Sequence, residues 1–241
     1  MVRKLLITLV VLAVLLVVAD FGGRAYAEHR AAAAVQTELG LTQPSDVSIE
    51  GFPFLWHAVQ GSYPTVIITA ADVDQGLLPG TRAQVDLTTV TLPLRDAVAG
   101  DTSNLAAQAT TSQVIIPLSS LQAALPRQDV TLSAGPNGTL QVNGTVSVAG
   151  VSIPVTGTAT LSAADNALTL TVASLSAAGI DLTSVARNAA AALASGLTTT
   201  IPLRGLPFTV TSGDVQVSGT DVVITVTTGP VTLQELRRTS G

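Results

Sequence analysis

Few residues of this chain could ionise, attack or hold a metal, and Asp72-Val73-Asp74 is the arrangement nearest to a catalytic motif. A D-x-D triplet can hold a divalent cation, and through it a sugar nucleotide, because two carboxylates side by side offer hard oxygen ligands to a hard cation. Here the triplet ends a strand-like run and leads into Gln75-Gly76, where paired carboxylates are usually solvated, and nothing nearby completes a ligand set. His29 and His57 have no companions at metal spacing and are expected to be surface or capping residues. The chain has no cysteine, which excludes thiolate and disulfide chemistry, and no lysine beyond Lys4. No serine sits in a G-x-S-x-G elbow, and no phosphate-binding glycine loop, dinucleotide fingerprint or H-E-x-x-H zinc motif is present. These features predict a protein that is not an enzyme, with no metal and no cofactor.

The distinctive chemistry is apolar. In a chain only 3% aromatic, Gly51-Phe52-Pro53-Phe54-Leu55-Trp56, closed by Gly61-Ser62-Tyr63, gathers four aromatic side chains into one short segment. If the segment is extended, Phe52, Phe54 and Trp56 alternate across Pro53 and Leu55 and share a face. Tryptophan and tyrosine favour places with one apolar and one wet side, such as a lipid interface or a pocket mouth. The alternative is a core plug that holds the end of a sheet shut. The theme recurs as Gly205-Leu206-Pro207-Phe208.

These residues must be positioned by the rest of the chain. Met1-Val2-Arg3-Lys4 followed by an apolar run from Leu5 to Ala19, interrupted only by Thr8, has the basic flank and hydrophobic core of an export leader. Ala25-Tyr26-Ala27 offers a cleavage site, while a run of fifteen residues is short for a bilayer core ~30 Å thick. Residues 1–27 are therefore expected to be either a cleaved signal or a retained transmembrane anchor, and residues 28–241 a single extracytoplasmic domain. Removing 1–27 takes basic residues from 11 to 8, acidic residues from 16 to 15 and net charge from −5 to −7. An acidic surface with scattered arginines is the opposite of a nucleic-acid surface or a polybasic membrane patch.

Glu28 to Leu39, rich in alanine and stopped by Gly40 and Pro44, predicts a helix. From Asp46 the apolar period becomes two. Val47 and Ile49, Val66 to Val73, and Val85 to Leu92 with a register shift at Thr88-Thr89 read as strands. Leu140 to Val148, Ile153 to Leu161 and Leu168 to Val172 form a meander with turns at Gly150 and at Ala164-Asp165-Asn166, and Phe208 to Val226 returns to strand pattern with a turn at Ser218-Gly219-Thr220. Helical pieces are expected at Leu118 to Leu125 and Leu182 to Ser195. Pro154, Gly144 and Gly157 inside strands mark bends or bulges. Asn137-Gly138-Thr139 matches a glycosylation sequon, as does Asn143-Gly144-Thr145, but for the first the Asn-Gly turn is the better account. An apolar sheet face needs a cover, and the alanine-rich helices can supply it either by close packing or by leaving a slot for an acyl chain.

With Gly-x-Pro-Phe placed twice before strand-rich sequence, a leader upstream, and Val114-Ile115-Ile116-Pro117-Leu118 between, the chain resembles the LmeA-like phospholipid-binding family of actinobacterial cell envelopes. The resemblance implies an α+β fold of the tubular lipid-binding type found in bactericidal/permeability-increasing protein, with a strongly curved antiparallel β-sheet wrapped around a long N-terminal helix. It also implies a phospholipid ligand, phosphatidylinositol or a related glycolipid, carried or presented at the outer face of the plasma membrane for assembly of mannan-bearing lipoglycans, with an envelope glycosyltransferase as a possible partner and no nucleic acid. On that expectation acyl chains meet Phe52, Phe54, Leu55, Trp56, Val59, Leu77, Leu78, Leu206 and Phe208, and the head group meets Arg82, Arg95 or Arg204. The competing expectation is a membrane-anchored adaptor that docks an envelope enzyme without binding lipid.

Overall fold

The computed structural model describes residues 2–39, 43–73, 77–101, 103–125, 129–148, 151–176, 184–204, 206 and 208–232. The chain divides into two compact units interleaved along the sequence, Met1–Ala70 with Gln84–Thr111 and Thr227–Gly241, and Ala71–Ala83 with Ser112–Val226. Both are antiparallel, the class is α+β, and no ring of strands closes among the described residues.

The first unit opens with α1 (Val2–Leu39), a run of leucine, valine and alanine without proline. It lies against β1 (Ser45–Glu50), which pairs antiparallel with β2 (Ser62–Ala70) from Ser45 opposite Ala70 to Glu50 opposite Thr65. Side chains tie the helix to that edge. Ser45 Oγ donates to Ala32 O at 2.8 Å, and Glu28 Oε1 accepts both the Ile49 N–H at 2.9 Å and the Arg24 guanidinium at 2.8 Å. The short helix α2 (Phe54–Gln60) lies between β1 and β2 in sequence. Next come β3 (Arg82–Thr91), α3 (Leu94–Ala99) and the start of β4 (Ala106–Pro117), whose residues from Ser112 belong to the second unit. Phe54, Ala58, Tyr63, Leu87, Val90 and Ala107 make this unit's core. At Thr88-Thr89, where a register shift is expected, Thr89 stands at φ 50°.

In the second unit α4 (Leu118–Ala123) and β5 (Val130–Ala134) precede β6 (Leu140–Val148), β7 (Val151–Ala164) and β8 (Ala167–Ser176). Then follow α5 (Ser184–Leu197), β9 (Thr199–Pro202), β10 (Ser212–Ser218) and β11 (Asp221–Thr228), while β12 (Val231–Thr232) returns to β4 in the first unit. The strand order here is β11-β10-β7-β6-β5, with β8 between β7 and β9. The meander forms as the alternation predicts. Leu140, Val142, Val155, Ala159, Leu168 and Leu170 are all buried, and α5 covers them with Ala190, Leu193, Ala194 and Leu197. Asp165 and Asn166, at φ 50° and 53°, make the β7–β8 turn, and Asn166 Oδ1 also accepts the Val210 N–H at 2.6 Å. The β-bulge falls at Thr158/Ala159, next to Gly157. Pro154 pairs with Thr145 of β6. Asn137 sits in a 3-10 turn, Pro136–Gly138, with Gly138 at φ 73°.

Two expectations change. The sheet is open, and α1 packs on β1 and α2, while α5 covers the β6–β8 face; the helix from Glu28 is the end of one helix that begins at Val2. Phe208 precedes its strand, which starts at Ser212. Among the described residues no helix is long and apolar enough to cross a membrane. Directly after the apolar run, Asp20 carries a carboxylate that the fold uses elsewhere.

The helix α3 escaped the sequence pattern. Pro93 precedes it, Gly100 ends it at φ 73°, and Asp96 in its first turn is held by Asn104 Nδ2 at 2.9 Å and Arg95 Nε at 3.1 Å. The hydrogen bond from Asn104, then that from Arg95, lowers the Asp96 carboxyl below its ordinary range. A carboxyl depressed in the folded state adds stability above the unfolded pKa and loses it as pH falls through the folded value. Asn104→Ala should therefore lower the denaturation midpoint at neutral pH, and the difference from the parent should shrink below pH ~4, the ordinary carboxylate range. Midpoints measured from pH 7 to pH 2 check this, and a pH-independent difference would rule out the carboxyl as its source.

Candidate functional site

The aromatic segment is helical from Phe54, so the condition for Phe52, Phe54 and Trp56 to share a face, an extended segment, is not met, and this changes which side chains it presents. Pro53, at φ −74° and ψ 136°, stands at the N-terminus of α2 and offers no side-chain cap. Two free N–H groups of the first turn are satisfied from α1 instead. Phe54 N–H donates to Asp20 Oδ2 at 2.9 Å and Leu55 N–H to Asp20 Oδ1 at 2.7 Å. A seven-residue helix has little stability of its own, so this bidentate acceptor and the packing beneath it set its geometry.

A period of 3.6 then separates side chains that a period of two would put together. Phe54 and Ala58 turn inward, and the Phe54 ring lies 6.2 Å from that of Tyr63, whose phenol burial pushes above its ordinary value. Phe52, Leu55, Trp56 and Val59 are 65%, 38%, 61% and 70% exposed. The Phe52 ring meets that of Phe21 on α1 at 6.3 Å, and Phe21 is itself exposed. A Cβ at Gly23 would stand 3.3 Å from Leu55 Cδ2, so α1 and α2 approach closely there.

The motif's glycines have separate reasons. Gly51 lies at φ 118°, with the His57 ring 3.0 Å from where a Cβ would be. Gly61 ends α2 in the left-handed region at φ 65°, and a Cβ there would fall 2.9 Å from Leu92 O. His57 Nδ1 lies 3.0 Å from Ser62 O, at the start of β2.

The remaining expected lipid contacts lie in the second unit. Leu78 is fully buried in its core, Leu206 and Phe208 pack half-buried against the same cluster, and Leu77 is exposed. Arg82 is within 3.8 Å of Asp221, which lines an open cleft of about 410 Å³ with Leu118, Leu132, Ala134 and Thr220. Arg95 is exposed beside Asp96, and Arg204 is exposed. Of the three arginines expected at a head group, Arg82 is thus placed by its ion pair next to a concave surface with apolar lining. A second cleft of about 270 Å³, lined by Gln141, Thr156, Gly157, Thr158 and Ser176, is polar.

Asp72 has a structural use: at φ 50°, its Oδ1 accepts the Gly80 N–H at 2.8 Å, while Val73 N–H donates to Thr81 O. Asp74 lies outside the described residues. Among the described residues no group of three or more histidines and acids could hold a metal ion.

The residues that sequence reasoning missed are Asp20, Phe21 and Gly23. The available signal was that Asp20 is the one acidic residue among the first 27, directly after the apolar run.

A family model described as LmeA-like phospholipid-binding matches residues 18–227, most of the chain, and its match begins two residues before Asp20. No curated protein and no solved structure matches.

Asp20→Ala should cost about 2 kcal/mol, the upper end of a cap deletion because the donors left behind are largely buried. Chemical denaturation gives the stability, and hydrogen exchange at the Phe54 and Leu55 amides locates it. Asp20→Asn, which keeps one carbonyl acceptor, should fall between. Unchanged exchange at those two amides in Asp20→Ala would show that the cap does not hold α2.

Proposed function

The chain belongs to the LmeA-like phospholipid-binding family, and from that premise we propose that it is an extracytoplasmic phospholipid carrier or presenter working at the outer face of the plasma membrane. The ligand class is phosphatidylinositol or a related glycolipid, and the process served is assembly of mannan-bearing envelope lipoglycans, with a glycosyltransferase as the consuming partner. The observation that carries this is the family match across most of the chain, since the family name indicates phospholipid binding and a binding role over a catalytic one.

Two further features support it. The basic start and apolar run of the first nineteen residues suit export, and the chain's one tryptophan is exposed among apolar neighbours in the segment that carries the Gly-x-Pro-Phe theme. In this proposal the architecture is the tubular lipid-binding type, acyl chains lie along Leu77, Leu206 and Phe208, and Arg82 meets phosphate once released from Asp221. A carrier of this kind needs no general base, nucleophile or metal, in keeping with a side-chain inventory poor in all three.

Native mass spectrometry of the full chain purified from its own membranes tests the proposal. Co-purified phospholipid that survives gentle activation is expected, with an inositol head group enriched over the membrane average. Protein that arrives lipid-free, yet captures an envelope glycosyltransferase stoichiometrically, would replace the carrier with the adaptor.

A further inference from the structure

Four of the seven aromatic residues, Phe21, Tyr26, Phe52 and Trp56, are exposed, and all four lie on α1 or at α2. A soluble surface rarely leaves a contiguous apolar patch uncovered. Here Phe21 touches Phe52 and Leu55 abuts Gly23, so the exposed side of α2 continues onto α1, whose Leu12, Val14, Leu15, Leu16, Val17 and Val18 are exposed in turn.

Charge narrows the occupant. The protein carries sixteen acidic residues, yet none lies between Phe52 and Gln60, and the one acid among the first 27 residues, Asp20, is 5% exposed and bonded to the N–H groups of α2. Bonding Asp20 inward caps the helix and also takes its carboxylate off the surface. The result is a face of tryptophan, phenylalanine and aliphatic side chains free of carboxylates, beside an apolar helix that begins with Arg3 and Lys4. Aromatic rings at the head-group level and basic residues at an apolar helix's end are features of the interface of an anionic bilayer.

We propose that Phe52, Leu55, Trp56 and Val59, together with Phe21 and the apolar stretch of α1, form a docking surface for a phospholipid bilayer, with Trp56 seated at head-group depth. The proposal rests on the phospholipid-binding function above and names the side that meets the membrane from which lipid is taken or to which it is given. α1 and α2 act as one element in it, because the Asp20 cap sets the angle at which α2 is offered.

Trp56 is the chain's single tryptophan, so its emission reports on this surface without labelling. The full chain is mixed with vesicles of phosphatidylcholine and phosphatidylinositol carrying bromines near the head groups, and separately with a monomeric short-chain brominated phosphatidylcholine. Docking predicts a blue shift and quenching by the vesicles, with little quenching by the monomer. Leu55→Ser with Val59→Ser should weaken vesicle partition at least about tenfold, since two exposed aliphatic side chains no longer leave water, with the melting curve showing that the variant is folded. Three results would overturn the proposal: vesicle binding without Trp56 quenching, equal quenching by the monomer, which would put Trp56 in a ligand slot, or shielding only by vesicles that contain membrane proteins, which would make the occupant a protein. Lipid retained in native mass spectra with an unquenched Trp56 sinks the docking surface and leaves the carrier function standing.

Discussion

The aromatic end of this protein depends on one carboxylate. Asp20 leaves an apolar helix at the point where a hydrophobic run would tolerate it least, and it does so at 5% exposure. What makes that affordable is that both of its oxygens accept backbone N–H groups of α2, at 2.9 and 2.7 Å. Without those acceptors two donors of a seven-residue helix would be stranded, because Pro53 supplies none. The same contact sets Phe54 over Tyr63 and Trp56 toward solvent, so helix capping, core packing and surface chemistry in this unit follow from one interaction spanning 34 residues of sequence.

The two units illustrate different ways of specifying structure. In the second, information is local: alternation fills the faces of β6, β7 and β8, two left-handed residues make the turn at Asp165-Asn166, and an alanine-rich helix covers the result. Each step is repeated by its neighbours, so no single residue decides it. In the first, the decisive elements are short and their partners distant. α2 is bounded by Gly51 and Gly61, each at a positive φ where an added Cβ would collide, and its first turn is completed by a side chain from another helix.

That difference explains what could be read from sequence. Strands from Leu140 to Val172, the Thr88-Thr89 irregularity, the Asp165-Asn166 turn and the helix ending at Leu39 were legible, because period, turn chemistry and stop residues are written within a few positions of where they act. The helix over Phe54 to Gln60 was not legible, and the shared face of Phe52, Phe54 and Trp56 was conditional on an extended segment. Alternating aromatics across a proline fit a strand, and the feature that selects the helix is an acceptor 34 residues upstream that no local window contains. Of the expected site residues, Phe52, Leu55, Trp56 and Val59 do come together on one surface, while Phe54 and Leu78 are in cores. α3 was missed for a different reason: six residues between proline and glycine carry too little periodicity to register.

The position of Asp20 also bears on the leader. A signal cut after Ala27 would take with it the cap on α2, the Phe21 ring against Phe52, the glycine under Leu55 and the Arg24 partner of Glu28. Glu28 would keep its bond to the Ile49 amide, so α1 from Glu28 onward would still hold to β1, but α2 would lose the contacts that orient it. Cleavage after Ala27 and a capped α2 are thus mutually exclusive, because the only side-chain acceptor for the Phe54 and Leu55 amides among the described residues lies on the removed side of the cut.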